Sequence, residues 1–212
     1  MIRTFTMLLI AMALCVSAAA QSNPDKGAVF AKALRNIPSR LALSSGTVEE
    51  NTYKNDSLGL QITPPPGLKF SAPELKGKPG TLPLLVTVAA WGTAIGGTVF
   101  YADDLGYYPE DRRSTKAYVE RVVRNQKKEG VDLVEGKAEE QLGGVNFYRV
   151  DFHSTLNYQA VLVKACDVYA FVFIFAASDL DSTNRLIAQT VVKLDMKASG
   201  CGQTDHPLPP KL

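Results

Sequence analysis

The chain has 212 residues, with 23 basic against 21 acidic side chains and only two histidines. A balance so even leaves no electrostatic footprint for nucleic acid or an anionic membrane, and two histidines leave little scope for imidazole chemistry. The length suits one domain with a sizeable core.

Residues 1–20 read as a secretion signal. Arg3 supplies the early positive charge, Met7 to Val16 an apolar run too short to span a membrane, and Ser17-Ala18-Ala19-Ala20 the small residues before a cleavage site at Gln21. Cleavage would leave 192 residues and lower the formal net charge from +2 to +1, because Arg3 departs. The expected location is therefore periplasmic or extracellular, and no other segment is apolar enough to span a membrane.

Residues 21–46 are expected to form an N-terminal helix and linker. Asn23-Pro24-Asp25 combines a cap, a first-turn proline and an acidic residue at the positive end of the dipole. Val29, Phe30, Ala33, Leu34 and Ile37 make one stripe, and Pro38 stops it. Strand patterns follow: Thr47 to Tyr53 and Leu58 to Thr63 flank the turn Asn55-Asp56-Ser57, which also fits the glycosylation sequon, and three prolines end the second. Leu82 to Trp91 and Thr98 to Asp104 read as strands around the glycine-rich turn Gly92 to Gly97. That turn lacks the spacing of a phosphate-binding loop.

Ser114 caps a helix bearing Ala117, Tyr118, Val119, Val122 and Val123 on one face and Arg121, Arg124, Lys127 and Lys128 on the others, up to Gly130. Val131 to Gln141, Val145 to His153, Asn157 to Ala165 and Val168 to Ala176 read as four strands in series, with Gly143-Gly144 as the first turn. Ser178 to Met196 is amphipathic, aligning Leu180, Leu186, Ile187, Val191 and Leu194. Residues 197–212 are a proline-rich tail. The last strand of the series is apolar on both faces, so both must be covered.

Tyr53-x-Asn55, Leu58-Gly59-Leu60-x-Ile62 and Pro65-x-Gly67-Leu68 together resemble the opening of PsbP/Mog1-like domains, over about residues 47–196. The resemblance implies an α+β fold: an α/β/α sandwich with a largely antiparallel sheet and helices covering both faces. It also implies a binding or accessory role, and it carries over no catalytic residue.

Of the three cysteines Cys15 leaves with the signal, so Cys166 and Cys201, 35 positions apart, are expected to form a disulfide. Such a loop is stabilised by roughly 3–4 kcal/mol on the chain-entropy account. His153 with Asp151 and Ser154 is the one catalytic arrangement worth weighing, but alternation puts Ser154 on the opposite strand face. Asp103, Asp104, Glu110 and Asp111 surround Tyr107 and Tyr108, without the spacing of a calcium loop. Tyr107, Tyr108, Asp103 and Asp104 are instead the candidate recognition loop. No catalytic, cofactor or metal residue is expected. The reading is an exported non-enzymatic binding or accessory domain for a protein or small ligand; the alternative is an exported hydrolase using carboxylates.

Overall fold

The computed structural model describes residues 44–76, 85–92, 96–105, 114–134, 138–155, 157–166 and 169–195. The expected signal, N-terminal helix and proline-rich tail lie outside these residues, as do Tyr107, Tyr108 and Cys201.

The body of the fold is an antiparallel sheet built from β4 (Lys69–Phe70), β5 (Glu74–Lys76), β6 (Leu85–Gly92), β7 (Gly96–Asp104), β8 (Asp132–Val134), β9 (Glu139–Leu142), β10 (Val145–His153), β11 (Tyr158–Ala165) and β12 (Tyr169–Ala177). Its order is β4-β6-β7-β12-β11-β10-β8, with β5 also beside β6 and β9 beside β10. The β9–β10 turn has Gly143 and Gly144 both at positive φ, which a two-residue turn of matching twist requires. A β-carbon on Gly143 would also strike the carbonyl of Val192, so the position needs glycine twice over.

Central position explains the composition of β12. Every residue from Tyr169 to Ala177 is buried. Tyr169, Phe171, Phe173 and Phe175 join one core, and Ala170, Val172, Ile174 and Ala176 join another on the opposite face. Phe173 lies in register with Phe100 on one side and Leu162 on the other.

The two covers differ in kind. Helix α1 (Thr115–Lys128) lays Tyr118, Val119 and Val122 against Val150, Phe152, Val161, Val163 and Val172. Ser114 caps it as expected, its hydroxyl accepting from the Ala117 amide at 3.2 Å. The aromatic face is covered by a second sheet of order β1-β2-β3-β13, made of β1 (Thr47–Glu49), β2 (Thr52–Asn55), β3 (Leu60–Thr63) and β13 (Val191–Leu194). Tyr53, Leu60, Ile62 and Val192 face inward from that sheet. Helix α2 (Leu180–Gln189) adds Leu186 and Ile187 beside it.

The expected α/β/α sandwich with helices covering both faces is therefore overturned. The described residues form thirteen strands and two α-helices, a β-rich fold in which sheet packs on sheet across one core. The reason lies in the last expected helix. Thr190 is already extended (φ −79°, ψ 123°) and ends α2 at Gln189. Its β-branched successors then alternate as a strand, with Val191 54% exposed and Val192 5%. Val191 and Leu194 share the helical spacing of Leu186 and Ile187 by coincidence of two periods.

Two other expected strands are interrupted. The stretch Thr47 to Tyr53 is a hairpin, turning at Glu50 (φ 47°) and Asn51 (φ 59°). Asn51 holds that turn: its Nδ2 donates to the Leu68 carbonyl at 2.8 Å, and its Oδ1 accepts from the Phe70 amide at 3.0 Å. The stretch Val131 to Gln141 is divided between β8 and β9, which both pair with β10.

Asp179 caps α2. Its carboxylate accepts from the Ser182 amide at 2.7 Å and from the hydroxyls of Ser178 and Ser182 at 2.7 and 2.9 Å. The Ser178 hydroxyl, then the Ser182 groups, hold its pKa down from 3.8 to about 2. A depressed carboxylate stabilises the fold above its unfolded pKa, and that contribution is lost as pH falls through the folded one. Asp179→Asn can still cap but carries no charge for the dipole. Thermal melts of the two proteins are expected to differ above about pH 4 and to converge towards pH 2; a constant difference across that range would contradict the assignment.

Candidate functional site

Tyr53 and Asn55 form the first constellation. Tyr53 is fully buried, and its hydroxyl donates to the Ser45 carbonyl at 3.0 Å. Asn55 Nδ2 donates to the Tyr53 hydroxyl and to the Ser44 carbonyl, each at 2.9 Å. Asn55 Oδ1 accepts from the Ser57 hydroxyl at 2.6 Å and the Leu58 amide at 3.2 Å. Burial lifts the Tyr53 phenol to about 12, so it stays a neutral donor. These groups lock the turn between β2 and β3. They also exclude the sequon reading for the folded chain, since the amide a glycan would occupy is buried and donates twice.

The second constellation is ionic and lies where β10 meets α2. Arg149 is 3% exposed, yet all three donor nitrogens are engaged. Nε donates to Asp151 at 2.9 Å, Nη1 to Glu140 on β9 at 2.8 Å, and Nη2 to Asn184 on α2 at 2.8 Å. Burial acts to lower the guanidinium's pKa, but the bonds and charges of Asp151 and Glu140 outweigh it and hold it above its ordinary value. Burial first, then the Asp151 charge, pushes the Tyr158 phenol up. One cation thus ties two strands and a helix together.

A third constellation holds α1 to the other face. Asp103 is 2% exposed and accepts from the Tyr118 hydroxyl at 2.9 Å and from Arg121 at 3.2 Å. The Arg121 guanidinium lies 4.1 Å from the centre of the Tyr118 ring, within range of a cation–π contact. Tyr101 packs beside them, its phenol raised well above its ordinary value chiefly by burial.

The sequence-derived sites map onto this frame unevenly. Asp103 sits on β7 beneath α1 rather than in a surface loop. Asp104 pairs through its backbone with Tyr169. Asp151 turns to Arg149, whereas His153 is exposed with its ring centre 6.4 Å from that of Tyr158. Ser154 is occupied with Asn157, donating to its Oδ1 at 3.0 Å. Asp151, His153 and Ser154 therefore do not form a catalytic set. Gly92 and Gly96 are paired residues of the β6–β7 hairpin, and a β-carbon on Gly97 would strike the Trp91 ring, so packing accounts for both ends of the glycine-rich turn. Cys166 is buried at the end of β11, its amide donating to the Tyr169 carbonyl at 2.8 Å.

Among the described residues no cluster of three metal-ligating side chains occurs, and no helix is long and apolar enough to cross a membrane. The outer face of the small sheet forms a shallow polar depression of about 450 Å³, lined by Thr52, Lys54, Gln61, Thr63 and Lys193 among others. Among the described residues that line it, which include Glu49 and Glu50, none is aromatic and none is buried. Sequence reasoning missed the Arg149 cluster, although a signal existed: Arg149 and Asp151 are opposite charges on one face of an otherwise apolar strand. Compared with known protein families and with curated proteins, the chain matches none.

Proposed function

We propose that this chain is an exported, non-enzymatic binding or accessory domain, whose resemblance to PsbP/Mog1-like domains is one of sequence, at Tyr53, Asn55, Gly67 and neighbouring turn and core positions. The observation that carries the reading is the use made of buried charge. Arg149, Asp151, Asp103 and Arg121 bind one another, or a neighbouring layer, instead of converging on a cavity. Groups committed to holding layers together are poor acids, bases or nucleophiles, because each is already paired. A carboxylate hydrolase needs two acidic groups in a deep apolar pocket. Among the described residues Glu140 and Asp151 converge but share Arg149 instead, and Glu49 and Glu50 line only the polar depression on the small sheet.

Export and the Cys166–Cys201 bond belong to the same proposal. Both are tested on tagged protein recovered from the exported fraction under non-reducing conditions. Its intact mass should correspond to Gln21 as the first residue, less two hydrogens for the disulfide, and a partner should co-elute in fixed stoichiometry. A retained Met1 refutes export, free thiols refute the bond, and turnover of a hydrolysable ester or glycoside by the purified protein refutes the non-enzymatic reading.

A further inference from the structure

We propose that the cleft between α1 and β8 docks an acidic, extended peptide segment of a partner protein, which adds as a strand to the edge of β8 that no described strand pairs. The inference rests on the binding-domain reading and names the chemistry of its partner. The cleft has a volume of about 610 Å³ and is lined by Val123, Leu133, Glu120, Arg124, Lys127 and Lys128. Leu133 is 41% exposed beside the half-buried Val123. It projects on the α1 side, since it pairs with Phe152, which is buried against that helix. Among the described residues β8 ends the large sheet, with β10 as its neighbour. An edge strand offers a row of backbone donors and acceptors to an incoming strand, and an alternating acidic peptide would place its glutamates on the α1 side, their stems beside Leu133 and Val123 and their carboxylates towards Arg124, Lys127 and Lys128.

Charge selects the occupant. Three cations, Arg124, Lys127 and Lys128, stand over the cleft against one carboxylate, Glu120, so an acidic segment is attracted and a basic one repelled. The chain's own flanking sequences are the wrong sign. Residues 21–43 carry Lys26, Lys32, Arg35 and Arg40 against Asp25, and residues 196–212 carry Lys197 and Lys211 against Asp205. The longer internal stretches outside the described residues are not acidic either, since 77–84 carry Lys78 alone and 106–113 balance Glu110 and Asp111 with Arg112 and Arg113, so the occupant is a separate molecule.

The test uses a short fluorescent peptide alternating glutamate and valine, titrated into the exported protein at low salt. Saturable binding is expected, with amide shifts at Asp132, Leu133 and Val134. Lys127→Glu/Lys128→Glu should weaken it by about tenfold or more, and the milder Lys127→Gln/Lys128→Gln by less. Both pairs are exposed, so unchanged circular dichroism should accompany the loss, with a small drop in melting temperature for the glutamate pair, which opposes the α1 dipole, and less for the glutamine pair. Methylating alternate peptide amides should abolish binding, because edge pairing needs them. Absence of binding, indifference to the charge reversal, or shifts confined to other strands would overturn the proposal. So would capture by phosphatidylglycerol vesicles without peptide binding, which would make the basic helix a lipid contact. If the charge-reversed protein still recovers its stoichiometric partner from the exported fraction, the cleft is refuted while the binding-domain reading survives. If no partner is recovered by either protein, that reading falls separately.

Discussion

Phe173→Ala is expected to cost about 3–5 kcal/mol, enough to unfold a large fraction of a domain whose whole stability is about 5–15 kcal/mol. Phe173 is 1% exposed and lies at the middle of the aromatic core. Its ring centre is 4.9 Å from that of Phe100, 5.5 Å from Phe147 in an edge-on contact, and 6.3 Å from Phe175. Truncation removes the transfer energy of the ring and leaves a cavity that neighbours from three strands and the small sheet cannot jointly close. Leu180→Ala is the control. At 42% exposure on the surface of α2, it should change stability by less than about 0.5 kcal/mol. Denaturant melts of both variants decide the matter. A Phe173→Ala protein as stable as the parent would mean that the aromatic face is not sealed by the small sheet and α2.

That seal was only half legible in the sequence. The need for it could be read from β12, because an apolar residue at every position leaves no wet face. The strand Val145–His153 and the start of α1 at Ser114 were legible for local reasons, a glycine pair and a hydroxyl cap. What covers the aromatic face was not, because it is assembled over long range. Ile62 pairs with Val192 from the far end of the chain, and strands of three or four residues give alternation too brief to distinguish from helical spacing. Thr190-Val191-Val192 carried the β-branched signal, but it abutted a true amphipathic helix and was absorbed into it. The same limit hid the Arg149 cluster. Its opposite charges were visible on β10, whereas Glu140 and Asn184 arrive from a hairpin partner and a helix that only the folded topology brings near.

Arg149→Met is the second variant expected to be severely destabilised, again by about 3–5 kcal/mol. The cause differs from that of Phe173→Ala. Methionine fills much of the space, so packing is largely kept. Asp151, itself 2% exposed, loses the guanidinium at 2.9 Å and remains a buried carboxylate with its main counter-charge gone. Asn184 loses a bond that fastens α2 to the sheet, and Glu140 loses its 2.8 Å partner. Burying an ion pair is costly in itself, so its worth lies in the penalty for breaking it rather than in net attraction. Replacing the whole set should therefore restore much of what the single change removes.

The stability of Arg149→Met beside Arg149→Met/Asp151→Val/Glu140→Gln, with partner capture read on both, tests most directly whether this buried charge holds the layers together or forms a site. The expected result is a large loss in the single variant, recovery of most of it in the triple variant, and partner capture by the triple variant equal to that of the parent. A triple variant that folds as stably as the parent yet captures nothing would contradict the account, because Arg149, Asp151 and Glu140 would then be the recognition site.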